Sequence, residues 1–198
     1  MKLNDKQLEF YAAEIYRYYL GFTEYKLIPH ESPDFILCKD DKEIGVEIVR
    51  PSEKEENQLI RILNKDITNN KKINYYRSKG KIKDNIYSID MLKSERIIDF
   101  INNKTKKLNS NYSLFKKNVL CCIPISYYIG KTEIDIIISN LNSFIDNYLI
   151  SFDEVVIIKY DELFVFKKEN GNYIYKKIDI ERSVSDTLQE ECSKIEKK

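Results

Sequence analysis

The chain has 198 residues, 42% of them apolar, and its 33 basic residues nearly cancel 32 acidic ones for a formal charge of +1. That length fits a single domain over residues 1–180 with a charged tail over 181–198, and the charge balance excludes a global positive field, so any nucleic-acid contact must be local. The lone histidine, His30, leaves His-rich zinc sites and histidine-based nucleolysis without their residues, so chemistry falls to carboxylates and lysines.

The four cysteines include no CxxC pair, which points to a reduced, cytoplasmic chain without structural zinc. MKLNDKQLEF lacks the apolar core of a signal peptide, and no run approaches the roughly 20 apolar residues of a membrane span. From the N-terminus, Asn4 with Gln7 predicts a capping box, and Leu8, Ala12, Ile15 and Tyr19 recur at helical spacing up to Gly21. EYKLIP, DFILC and EIGVEIV then read as three strands, the last two joined through the polar turn KDDK.

Ser52 with Glu55 predicts a second capped helix, carrying Leu59, Ile62 and Leu63 and fading near Asn69. A further helix is predicted from Met91 to Leu108, followed by NVLCCIPISYY, a nearly continuous apolar run that suits a strand covered on both faces. Thr132 is expected to cap the next helix, DEVVIIKY to return as a buried strand, and Asn170-Gly171 to close a terminal hairpin. The last fifteen or so residues read as frayed or helical. The sum is an α/β chain: a mixed sheet flanked by helices, with a C-terminal β-hairpin.

If KDDK turns with an even loop, facing residue numbers sum to 81, which sets Asp34 opposite Glu47 and Ile36 opposite Gly45. Opposed side chains have Cβ atoms roughly 4.5–5.5 Å apart, and two like charges there are destabilising. A proton, a lysine or a divalent cation must compensate. Gly45, with no side chain on that face, is expected to leave room beside the pair. The alternative is two ordinary acids on a solvated hairpin.

PDF at 33–35 and GVEIV at 45–49, with the order helix, three antiparallel strands, helix and strand, resemble the PD-(D/E)XK nuclease superfamily over roughly residues 4–160. The resemblance implies a restriction-endonuclease-like α-β-β-β-α-β core and metal-dependent hydrolysis of phosphodiester bonds, in DNA by expectation. It also implies Mg²⁺ (or Mn²⁺) held by Asp34, Glu47 and the backbone carbonyl of Ile48, with an acid on the first helix, Glu14, assisting. A surface glutamate paired with Arg17 is the other reading of Glu14. Glu31, just before PDF, is a further acid within reach.

The resemblance breaks at Val49, where the motif would place a lysine. Ile97, Ile101, Lys104 and Leu108 follow i, i+4, i+7, i+11, so Lys104 falls on an apolar stripe, from which a lysine either snorkels to solvent or meets a carboxylate. Lys104 is therefore the candidate catalytic lysine. Arg50, on the opposite strand face, and Lys65 are weaker substitutes. Between Thr68 and Lys83 no acid interrupts Lys71, Lys72, Tyr75, Tyr76, Arg77, Lys79, Lys81 and Lys83, a stretch suited to holding phosphates and stacking bases, or else a solvated loop. The competing functions are a nuclease-fold nucleic-acid-binding or regulatory module that has lost catalysis, and a protein-interaction domain of the immunity or inhibitor kind. A homodimer would let a small nuclease meet two strands, but no interface is legible in the sequence.

Overall fold

Asn4 caps α1 (Asp5–Tyr19) as predicted: its Oδ1 accepts the Gln7 N–H at 3.0 Å, and Gln7 Oε1 accepts the Asn4 N–H at 3.0 Å. The computed structural model describes residues 3–51, 82–83, 86–87, 94–110, 114–124, 129–159 and 161–195. After α1 come β1 (Lys26–Pro29), β2 (Phe35–Lys39) and β3 (Lys42–Val49). A two-residue loop, with Asp40 at φ +51°, joins β2 to β3, so Lys39 faces Lys42 and every pair sums to 81 as predicted. The helix expected over residues 52–69 lies outside the described residues.

Two short strands, β4 (Ile82–Lys83) and β5 (Ile86–Tyr87), pair with each other and precede α2 (Ser94–Leu108). Then follow β6 (Lys117–Cys122), α3 (Lys131–Asp146), β7 (Glu154–Ile158), β8 (Glu162–Glu169), β9 (Asn172–Asp179) and α4 (Arg182–Ser193). The β8–β9 turn is Asn170-Gly171, both at positive φ (49° and 82°), as a two-residue hairpin of this composition requires. Thr132 is not the cap of α3. Gly130 holds that position, and its N–H donates to Glu133 Oε2 at 2.9 Å, so the reach of an acid at the third helical position replaces a capping hydroxyl. Residues 182–193, expected within a tail, are an ordered helix because Ser185, Leu188 and Cys192 are buried in the core that includes α1.

The main sheet has seven strands in the order β1-β2-β3-β6-β7-β8-β9, parallel at β3–β6 and β6–β7 and antiparallel elsewhere. It is thus a mixed, open α/β sheet. Strand alternation divides the core in two. Val46, Ile48, Val119 and Cys121 join Ala12, Ile15 and Tyr16 of α1 in one layer, while Val49, Leu120 and Cys122 join Ile97 and Ile101 of α2 and Ile137 and Leu141 of α3 in the other. Cys121 and Cys122 accordingly point to opposite faces. Among the described residues no helix is long and apolar enough to cross a membrane.

Candidate active site

Strand β2 begins at Phe35, so its ladder with β3 stops at Val46 and the register carries Asp34 to a place opposite Glu47. The Ile48 N–H, beyond the last paired residue, is taken by the Asp34 side chain: it donates to Oδ2 at 2.7 Å. On the other side the Val49 carbonyl accepts the Ile123 N–H at 2.8 Å. Backbone groups alternate along a strand, so the Ile48 N–H and carbonyl both face away from β6, toward Asp34. The Ile48 carbonyl and the Asp34 carboxylate therefore lie on the same side of β3, where β2 has ended.

Glu47 is only 3% exposed, on the face that α2 covers. The Lys104 ammonium reaches it from α2 and donates to Glu47 Oε1. The stripe read from the sequence explains this: Ile97, Ile101 and Leu108 are buried, and Lys104, on the same side, is carried to the carboxylate instead of snorkelling to bulk solvent. Burial raises the Asp34 pKa above the ordinary carboxylate value, the Ile48 N–H opposes it, Glu47 raises it further, and Lys104 and Lys107 draw it down. The net shift is upward. Burial and Glu47 thus outweigh the Ile48 N–H and the two lysines.

Glu14 is not brought to this site. It pairs with Arg17 at 2.7 Å, the surface arrangement weighed as its alternative. The acid that α1 brings toward Asp34 is Glu9, whose pKa is raised by burial first and by the charge of Asp34 second. Five residues at 3.6 per turn place Glu9 and Glu14 on sides of the helix roughly 140° apart, so one helix cannot aim both inward. Asp5, one turn before Glu9, pairs with Arg50 just after β3 and ties this end of α1 to the site. An i, i+4 acid pair facing an arginine beside the motif was the sequence signal for Glu9. Arg50 points to α1, as its strand face implied.

Gly45 does not leave an open space. A Cβ built there would lie 2.7 Å from Phe115 Cδ2 and 3.0 Å from Pro33 Cγ, so the missing side chain admits Phe115 and Pro33 against the strand. Val49, in the motif-lysine position, is buried with Ile97, Ile101, Leu120 and Cys122. Glu31 is exposed in the loop before Asp34. Lys65 and the basic residues Lys71, Lys72, Arg77, Lys79 and Lys81, with Tyr75 and Tyr76, lie outside the described residues; Lys83 is described only as backbone in β4.

Among the described residues no group of three His, Cys, Asp or Glu side chains forms a metal-holding cluster. A zinc-type site does not fit these residues. Two carboxylates and a peptide carbonyl are hard oxygen donors, and Mg²⁺ is commonly bound through one or two carboxylates while it keeps several waters. The raised Asp34 pKa has burial as its first cause, and a proton or a divalent cation would each relieve it. Neither a family model, nor a curated protein, nor a solved structure matches the chain, so the functional reading rests on the geometry of Asp34, Glu47 and Lys104.

Proposed function

We propose that this chain is a metal-dependent nuclease of the PD-(D/E)XK type, with a restriction-endonuclease-like core, that hydrolyses phosphodiester bonds in DNA. The observation that carries the proposal is the contact between Lys104 and Glu47: a lysine absent from β3 reaches the buried acid from α2. Asp34, Glu47 and the Ile48 carbonyl would hold Mg²⁺ (or Mn²⁺), with Glu9 in place of Glu14 as the acid from the first helix. The bound ion supplies Lewis acidity and lowers the pKa of water at neutral pH.

The residues of the chain do the positioning. The Ile48 N–H fixes one oxygen of Asp34, which leaves its other oxygen for a cation. Lys104, anchored by Glu47, can donate from its ammonium to an attacking water or to a non-bridging phosphate oxygen, where negative charge grows in the transition state. Lys107 adds positive potential near Asp34, which favours an approaching phosphate.

The test is cleavage of single- and double-stranded DNA and of RNA with Mg²⁺ or Mn²⁺ against EDTA. Cleavage should require the metal and disappear in Asp34→Ala and Glu47→Gln. Lys104→Met should lower the rate on the order of 10²–10⁴-fold, the range of a positioned proton-transfer group. Glu9→Gln should raise the metal concentration that cleavage requires, while Glu14→Gln leaves cleavage unchanged. Val49 favours one second reading, a nucleic-acid-binding module without catalysis. Binding of DNA without cleavage under both metals would establish it, and absence of both would favour a protein-interaction role.

A further inference from the structure

Helix α3 ends in a motif that normally calls for glycine. The Tyr148 N–H donates to the Ile145 carbonyl at 3.0 Å and the Leu149 N–H to the Phe144 carbonyl at 2.9 Å, a Schellman closure with Tyr148 as the left-handed residue at φ +55°. A bulky side chain at positive φ is an outlier, and this one is 97% exposed. Leu149 and Ile150 follow, each 46% exposed, and Leu114 beside them is 55% exposed. Among the described residues nothing accounts for three consecutive large apolar side chains turned outward at a helix end.

The loop is nonetheless held firmly. Asn109, just after α2, donates from Nδ2 to the Ile150 carbonyl at 2.6 Å and accepts the Ile150 N–H at 3.0 Å. The apolar residues are thereby presented in a fixed arrangement. A groove of about 490 Å³ lies against them, lined in part by Phe115, Lys116, Asp153 and Lys168. The surface thus carries a projecting ring beside a recess. Its edge has both signs of charge: Lys116 and Lys168 are exposed, as is Asp146 near the end of α3, and Asp153 is half-buried.

We propose that this surface is a two-fold interface between two copies of the chain, in which Tyr148 of each copy enters the groove of the other. A knob beside a recess, with mixed charges at the edge, is self-complementary under a two-fold axis: the lysines of one copy can meet the acids of the next. An aromatic side chain alone buries roughly 150–250 Å². With three half-exposed aliphatic neighbours the patch falls within the roughly 300–600 Å² of the largest apolar patch on a typical monomer, which is often functional. Two such patches total about 600–1,200 Å² before their polar edges are counted, the size of a weak, reversible interface. A concentration-dependent dimer is the consequence. Nucleic acid fits less well, because aliphatic side chains do not stack bases and the edge acids repel phosphates.

The interface stands independently of the nuclease reading and is tested without metal or substrate. Sedimentation of the whole chain over a wide concentration range should show the mass rise from one copy toward two. Tyr148→Gly should weaken dimerisation on the order of 30-fold or more, the loss expected of a central aromatic anchor. Its melting temperature in dilute, monomeric solution should be equal or higher, because glycine relieves the left-handed residue; this separates lost contact from lost fold. Leu149→Ser should act in the same direction. A wild type that stays monomeric at every concentration, or a dimer that both variants leave intact, overturns the proposal. So does a monomer that binds single-stranded DNA and loses that binding in Tyr148→Gly.

Discussion

Replacing Lys104 by methionine keeps the apolar stem that packs along the Ile97–Ile101 stripe and deletes the charge set against Glu47. Glu47 is 3% exposed, so its carboxylate then stays buried without the Lys104 ammonium. Removing one partner of a buried pair costs about 3–5 kcal/mol. The Lys104 side chain is 22% exposed, so water reaches the pair from one side and the lower end applies. About 3 kcal/mol corresponds to a fall in Tm of roughly 6–12 °C for a domain of this length. Glu47→Gln with Lys104→Met removes both charges, so the double variant should be more stable than the sum of the single losses predicts, by well over the roughly 0.5 kcal/mol within which independent sites add. Mg²⁺ should also raise the Tm of Lys104→Met more than that of the wild type, because saturation at a hundredfold excess over Kd contributes about 2.7 kcal/mol where no lysine competes. Thermal and urea unfolding measure all of these. A Tm for Lys104→Met within about 2 °C of wild type, equivalent to a fraction of the cost of breaking a buried pair, with additive singles, would refute the claim that the two charges depend on each other.

Asp34 gives a pH dependence of defined sign. Burial and Glu47 raise its folded-state pKa, so its contribution to stability is full below the unfolded value of about 3.9 and is lost as pH rises through the folded value. Asp34→Asn, which keeps an oxygen for the Ile48 N–H, should therefore melt above wild type at pH 7, with the gap closing toward pH 4; a variant less stable at pH 7 would reverse the sign. Gly45→Ala should cost about 1–3 kcal/mol by overpacking Phe115 and Pro33, and Phe115→Leu in the same chain should recover part of the loss in urea unfolding. Val49→Lys, which restores the motif lysine in sequence, should destabilise by several kcal/mol because it places an ammonium among Ile97, Ile101, Leu120 and Cys122, and it should not rescue cleavage by Lys104→Met.

Local pattern was enough where one element sets its own geometry. The alternation of β2 and β3 favours an even loop, so the pairing that sums to 81, and with it the placement of Asp34 opposite Glu47, was legible. The stripe from Ile97 to Leu108 likewise placed Lys104 on the buried side of α2. What escaped was the relation between elements. Whether Glu9 or Glu14 meets Asp34 depends on how α1 is rotated against the sheet, an angle that residue spacing within one helix does not supply. The space beside Gly45 is filled by Phe115, seventy residues away and on no predicted element. Gly130 rather than Thr132 begins α3 because Glu133 supplies the capping oxygen, a competition that residue preference alone does not decide.

Val49 then takes a meaning different from a missing lysine. Its side chain leaves β3 on the same face as Glu47 and packs with Ile97 and Ile101, the residues that seat α2 on the sheet. Its register partner Cys122 lies in the same layer, close enough to Lys104 for that charge to moderate a thiol pKa that burial pushes up to about 12. A lysine in place of Val49 would lift α2 from the strand; an apolar residue there lets the helix settle with Lys104 one turn beyond the contact, against Glu47. Position 49 and position 104 are therefore coupled through packing. The valine packs against the helix residues that carry Lys104 to Glu47.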